Sequence, residues 1–304
     1  MLQFLPLVIA TQTPSMHSFL RPRLQSIAGL LSGVGALLLG LTLASGPLFA
    51  APTTTVIAED SFSYANNISV VGQNGGTGWT SAWLSDSLSF TDFFTNSAGL
   101  SIPGLTGAGG KLVFYFAGSP LNDATRSLPL QNSGVVYVQF LSQFGAQSGF
   151  GTPNIRFFNS DTLTGAVGNN GFCGGPVYAI LNSGLEAIAA SCSTVSLSLL
   201  RAVVLRIDYA SNTTQMWALS DLSGFDYFNP PAPSAVYAGL APAFNRIALY
   251  TRDPASIDEL KILRVNAEPS SPQAVPGLSG ATLGLLSVLV ALGALLRHLR
   301  RARG

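Results

Sequence analysis

The side chains able to do chemistry are few and unevenly placed. The two histidines, His17 and His298, stand near the chain ends, so residues 51–266 hold none. This removes the commonest general base, the usual metal ligand and any Ser-His-Asp arrangement from the middle of the chain. The four glutamates, Glu59, Glu186, Glu259 and Glu268, are scattered, whereas glycoside hydrolysis needs two carboxyl groups held close together. Asp258 and Glu259 are adjacent, which on a regular strand sends them to opposite faces. The expectation is a protein without catalytic residues, not an enzyme.

Two other pairs stand out. Cys173 and Cys192 are the only cysteines. In an exported chain a lone pair forms a disulfide, here closing a loop that adds roughly 3 kcal/mol if unstrained; two unpaired thiols are the alternative. Two cysteines without a histidine make a poor zinc site. Trp79 and Trp83 lie four residues apart beside a glycine-rich segment. They are the candidate ligand-binding residues, since aromatic faces stack on sugars, yet large aromatics more often serve packing. Asp86, Asp92, Asp123, Asn96 and Asn122 supply oxygens of the kind calcium takes. No Asp-x-Asp-x-Asp loop organises them, and they read as solvated or turn-capping residues. No metal or cofactor is expected, with calcium the one ion left open. The run Gly165 to Gly175 has no Lys-Ser/Thr and no following helix, so it reads as a flexible turn and not a phosphate cradle.

The elements that must position these residues read as strands. The chain is 47% hydrophobic but only 10% charged, well below the usual quarter. All 14 acidic residues fall between Glu59 and Glu268 with nine basic ones, so that stretch carries 9 − 14 = −5. An acidic middle without a basic patch excludes nucleic acid as a partner. Runs rich in Val, Ile, Phe, Tyr and Leu predict strands at 56–62, 87–94, 111–117, 135–144, 153–158, 176–182, 202–209, 213–219, 245–250 and 257–265. Val203, Leu205, Ile207 and Tyr209 share one face and Arg206 and Asp208 the other, the pattern of a half-buried antiparallel strand. Ser211 and Asn212 predict a hairpin into the next run. Many short strands separated by Gly, Asn, Pro and Ser clusters predict an all-β sandwich or jelly roll, with Phe62, Trp79, Leu205, Ile207, Ile247 and Leu260 largely buried.

The two ends have their own grammar. Met16, then Arg21 and Arg23, an uncharged Ile27–Leu43 run and Leu48-Phe49-Ala50 make up a secretory signal, residues 1–50. An uncleaved anchor is the alternative reading, and Met1 and Met16 are both open as start sites. At the other end a Pro/Ser linker and motif, 267–277, precede 19 uncharged residues, 278–296, long enough to span a bilayer as a single transmembrane helix. Arg297, Arg300, Arg301 and Arg303 follow and place residues 297–304 in the cytoplasm.

That tail resembles the PEP-CTERM sorting signals of Gram-negative bacteria and their IPTL-type relatives. Val275-Pro276-Gly277-Leu278-Ser279 lacks the usual Val-Pro-Glu-Pro and is nearer Ile-Pro-Thr-Leu-Ser. The resemblance implies the Sec translocon, the membrane and an exosortase-type processing enzyme as partners; a plain C-terminal anchor is the alternative. A second resemblance rests on Glu59-Asp60-Ser61-Phe62-Ser63-Tyr64, Gln73-Asn74-Gly75-Gly76-Thr77-Gly78-Trp79 and Ala82-Trp83, with Val204 to Tyr209, Phe244 to Leu249 and Ser256 to Ile262 further on. These segments are similar to the concanavalin A/laminin-G-like domains of bacterial surface proteins. For residues 51–266 the resemblance implies an antiparallel jelly-roll β-sandwich. The fold hosts lectins, glycosidases and structural modules alike, and the Glu-x-Asp-x-x-Glu of its glycosidases is missing here. The reading is an exported, surface-displayed, non-catalytic binding or adhesion protein whose partner is extracellular polysaccharide or matrix. A structural coat component without a ligand and a glycoside hydrolase are the alternatives.

Overall fold

A computed structural model describes residues 52–85, 93–114, 122–145, 154–169, 171–251 and 254–266. The signal segment, the Val275–Ser279 motif, the apolar run 278–296, the tail arginines, Asp86 and Asp92 lie outside the described residues. Among the described residues no helix is long and apolar enough to cross a membrane.

The described residues form sixteen strands, in chain order: β1 Thr53–Asp60, β2 Phe94–Asn96, β3 Ser101–Ile102, β4 Leu105–Thr106, β5 Lys111–Phe114, β6 Asn122–Gln131, β7 Val135–Phe144, β8 Asn154–Asn159, β9 Thr162–Gly168, β10 Val177–Leu181, β11 Cys192–Ser196, β12 Arg201–Asp208, β13 Thr213–Leu219, β14 Ala235–Ala238, β15 Phe244–Thr251 and β16 Ala255–Asn266. An eight-stranded sheet has the order β14-β13-β12-β7-β16-β5-β2, with β1 also paired to β16; a six-stranded sheet has the order β11-β10-β9-β8-β15-β6. Every pairing between them is antiparallel. The result is the expected all-β sandwich.

Period-two alternation sets which residues meet between the sheets. Val136, Val138, Phe140, Val203, Leu205, Ile207 and Ile262 point inward from the larger sheet. Ile155, Phe157, Ile247 and Leu249 meet them from the smaller one. At roughly 1.5–3 kcal/mol per fully buried large apolar side chain, this layer is the main source of stability. The larger sheet is apolar on its outer face too. There Tyr137, Leu141, Val204 and Trp217 form a second core with Leu100, Ile102 and Leu222. The β3–β4 strap and the 220–233 loop cover this face, tied together by the Leu222 N–H donating to the Pro103 carbonyl, 2.8 Å.

The segment 61–85 closes one side of the sandwich. It bridges to β2 through Ser69 and Phe94 and to β6 through Leu84 and Thr125. Thus both sheets have an edge satisfied by one loop, which removes two rows of unpaired backbone groups.

Several expectations need correction. β3, β4, β6, β9, β11 and β14 fall where no strand was expected: β6 (Asn-Asp-Ala-Thr-Arg-Ser-Leu-Pro-Leu-Gln), for one, is polar and contains a proline. Gly165 to Gly168 is strand and not turn, because small residues suffice where β9 is flanked on both sides. Phe62 is buried as expected but lies past the end of β1 with φ 50°. Asp258 and Glu259 do not diverge, because the register slips between Asp258 and Lys261 and Glu259 takes φ 50° in that bulge.

Candidate functional site

The glycine-tryptophan motif builds a buried polar knot between the sheets. Asp60 ends β1 and Arg126 points inward from β6, opposite Ile247. Their side chains form an ion pair with each about 1% exposed. Asp60 also accepts hydrogen bonds from Trp83 Nε1 at 2.9 Å, the Tyr64 hydroxyl at 2.6 Å and the Phe62 N–H at 2.8 Å. Arg126 donates to the carbonyls of Ser81 and Gly75, at 3.0 and 2.7 Å, and to Asn74 Oδ1 at 3.1 Å. The guanidinium lies 4.9 Å from the Trp79 ring centre and 5.6 Å from that of Trp83. A buried charge pair is tolerated when its remaining donors and acceptors are met, and here the 61–85 segment meets them. Burial, with the Asp60 carboxylate beside it, raises the Tyr64 hydroxyl far above its ordinary value.

This geometry fixes where the tryptophans stand. Trp83 is wholly enclosed, 0% exposed, and packs on Phe62. Trp79 is partly buried against the same core; it donates through Nε1 to the Glu59 carbonyl at 2.9 Å and packs on Trp83. Gly78 must be glycine: its φ is 78° and a Cβ would overlap the Ile57 carbonyl oxygen on β1.

A second buried acid lies under the strap. Asp258 Oδ2 accepts from the Leu100 N–H at 2.7 Å, and Oδ1 from the Glu259 N–H at 2.8 Å. Glu259 Oε1 accepts from the Ala108 N–H at 2.7 Å. Both neighbouring carboxylates therefore serve the same segment, 100–108. Burial pushes the Asp258 carboxyl up to about 7, against these N–H donors.

Cys173 and Cys192 are joined in a disulfide. Cys173 packs on Ala166, Ala179 and Leu181, so the bond covers the outer face of β9 and β10. The rest of that face carries polar and aromatic side chains in transverse rows. Ser127, Arg246 and Phe158 lie abreast; next come Thr125, Ala248, Arg156 and Ala166; then Asp123, Tyr250, Asn154 and Gly168. The Arg156 guanidinium is 3.4 Å from the Tyr250 ring centre and donates through Nε to Asn154 Oδ1 at 2.7 Å. Arg246 lies 4.7 Å over the Phe158 ring. Burial pulls the Arg156 guanidinium below its usual range, while Tyr250 and Asp123 act to hold it up. Arg156, Arg246 and Tyr250 are only half-buried, so planar donors, an acceptor and aromatic rings meet at one partly open surface. Sequence reasoning missed this cluster, because its members come from three strands whose order no local pattern reveals. Among the described residues no group of three or more His, Cys, Asp or Glu side chains is placed to hold a metal.

No family model and no curated protein matches the chain. Solved structures do. One is a glycosyl hydrolase family 16 protein from Mycobacterium smegmatis, at 11% identity and TM-score 0.38, covering 68% of this chain and 100% of that one. Another is the lectin I-B4 from Griffonia simplicifolia, at 8% identity and TM-score 0.32, covering 61% of this chain and 92% of that one. A third is described as a sialidase, at 11% identity and TM-score 0.37; the match covers 61% of this chain, which spans only 17% of the sialidase's length.

Proposed function

We propose that this chain is an exported, surface-displayed, non-catalytic module that binds polysaccharide through the outer face of its six-stranded sheet. The observation that carries the reading is Arg156 stacked on Tyr250, with Asp123 abreast of that ring and the buried Asn154 accepting from the guanidinium Nε. Sugars offer hydroxyls to bidentate donors and acceptors, and C–H faces to aromatic rings. Trp83 contributes by closing the sandwich, since its ring has no open face, and Trp79 by packing on Trp83 and donating to the Glu59 carbonyl.

The reading of the acids as structural follows from their partners. Asp60 is matched by Arg126, and Asp258 by two backbone N–H groups. Export is supported by the leader grammar of residues 1–50 and by the disulfide, a bond of oxidising compartments. Display is supported by the apolar run and arginine cluster at the C-terminus, laid out as a sorting signal for an exosortase-type enzyme or as an anchor.

The test is a glycan array probed with the full chain in mild detergent, beside Arg156→Ala, Tyr250→Ala and Trp83→Phe. Binding lost in the first two variants and kept in the third is the expected result. A parent chain that captures no glycan sinks the proposal.

A further inference from the structure

We propose that Phe172, held beside the Cys173–Cys192 disulfide, is a second stacking residue of this face, and that the ligand is therefore an extended sugar chain and not a single sugar. The inference rests on the polysaccharide-binding reading above.

Phe172 is 68% exposed, more than the other six large hydrophobics that stand out from the described surface. It does not ride on a loose loop. The next residue is covalently tied to Cys192, at the start of β11 and opposite Ala179. The Gly171 N–H donates to Asn169 Oδ1 at 2.9 Å, and the Val177 N–H to the Gly175 carbonyl at 2.9 Å. Cys173 itself packs down on Ala166, Ala179 and Leu181. The disulfide thus anchors the chain one residue from Phe172, whose side chain is largely exposed. Holding an aromatic open at a fixed place is what a stacking platform needs, because little ordering is left to do on binding.

The turn's position sets ligand length. Gly168 on β9 lies in the same transverse row as Asn154, Tyr250 and Asp123, and it pairs with Ala179 on β10. From β15, which carries Tyr250, to the β9–β10 pair under Cys173 is two to three strand spacings, roughly 10–15 Å at about 4.8 Å each. One hexose ring cannot touch both Tyr250 and Phe172. A chain lying across the strands, along the row, can.

The experiment measures binding of the full chain in mild detergent to β-1,4- and β-1,3-linked glucose hexamers and an alginate hexamer, each beside its monosaccharide. The parent is expected to prefer a hexamer to its monosaccharide by several-fold to about tenfold, one such stacking contact being worth up to about tenfold. Phe172→Ala should remove most of that preference at unchanged melting temperature, and Phe172→Trp should keep it. The Cys173→Ser/Cys192→Ser double variant should weaken the hexamer alone, whereas Tyr250→Ala should weaken both ligands. Hexamer binding that survives Phe172→Ala undiminished, or a monosaccharide bound as tightly as its hexamer, overturns the inference and leaves the binding face standing. A parent that binds none of the sugars removes both. Should the double cysteine variant fail to fold, the Phe172 variants decide alone.

Discussion

Asp60 on β1 and Arg126 on β6 form an ion pair that joins the two sheets across the interior, each side chain about 1% exposed. The pair is sequestered because the 61–85 segment satisfies what the two groups do not give each other. Tyr64, Phe62 and Trp83 donate to the carboxylate; Ser81, Gly75 and Asn74 accept from the guanidinium. The loop, the two sheets and the tryptophans are therefore one cooperative unit, in which losing one member exposes or orphans the rest.

The first prediction follows from that coupling. Arg126→Met leaves the Asp60 carboxylate buried without its counter-charge and should cost about 3–5 kcal/mol. Asp60→Asn should cost a similar amount, because Arg126 then stays charged and buried. The double variant should cost clearly less than the sum of the two, since neither charge remains. Urea denaturation of the four proteins checks this; strictly additive losses would show that the two residues do not act as a pair.

The second prediction separates backbone conformation from close packing. Gly72 and Gly78 both have φ near 80°, at 84° and 78°. A Cβ at Gly72 meets nothing within 4 Å, while at Gly78 it overlaps the Ile57 carbonyl. Gly72→Ala should cost only the left-handed strain, about 1–2 kcal/mol. Gly78→Ala should cost a further ~1–3 kcal/mol, because β1 must shift to admit it. Equal melting temperatures for the two variants would contradict this account of the motif.

Legibility in the sequence followed locality. The strand 135–144 matches β7 end to end, and 213–219 matches β13, because apolar runs and turn residues mark both ends of each. The sandwich and the burial of Phe62, Leu205, Ile207, Ile247 and Leu260 were legible for the same reason. Arg126 was not. A lone arginine in a polar, proline-containing stretch reads as surface, and only the partner Asp60, 66 residues away, makes its inward position tolerable. Asp258 and Glu259 misled in the opposite direction, since alternation assumes an unbroken strand and the bulge at Glu259 breaks it. The Arg156–Tyr250 contact joins β8 to β15, which are separated in the chain by six other strands. Its geometry exists only once the strand order is known.

The third prediction concerns the C-terminal segment, whose sequence alone carries it. Deleting residues 278–304 removes the only post-leader run long and uncharged enough to span a bilayer and should release the protein from membranes. If the proline motif is a processing site, Pro276→Ala should leave a heavier form in the inner membrane; if the segment is only an anchor, that substitution changes nothing. Fractionation and intact mass distinguish the two. Full membrane retention of the truncated chain, with its leader shown to be cleaved, would overturn the proposed address.

The last prediction is a pH dependence, and its sign can be worked through. Burial pushes the Asp258 carboxyl up to about 7 in the folded protein, with the Leu100 and Glu259 N–H groups opposing and the neighbouring Glu259 charge adding to the rise. Its other charged neighbour, Lys111, acts to lower it. In the unfolded chain the value is about 3.9. Between these values the folded state holds a proton that the unfolded state has lost, so the folded state binds more protons and stability falls as pH rises. The contribution is complete below about pH 4, declines from there to about pH 7, and is absent above it. Asp208 behaves in the opposite sense: burial raises it, but the Ser211 N–H and Arg206 outweigh that and hold it below its ordinary value. Its effect therefore falls below about pH 4, outside the window in which Asp258 acts. Urea midpoints at pH 4.5, 6 and 8 should decline in that order for the parent chain. Asp258→Asn cannot ionise, and its Nδ2 group must face one of the two N–H donors, so it should be less stable than the parent at pH 4.5 and lose less on going to pH 8. Parallel pH profiles for the two proteins would assign the dependence to some other group and leave Asp258 as a plain hydrogen-bond acceptor for the strap.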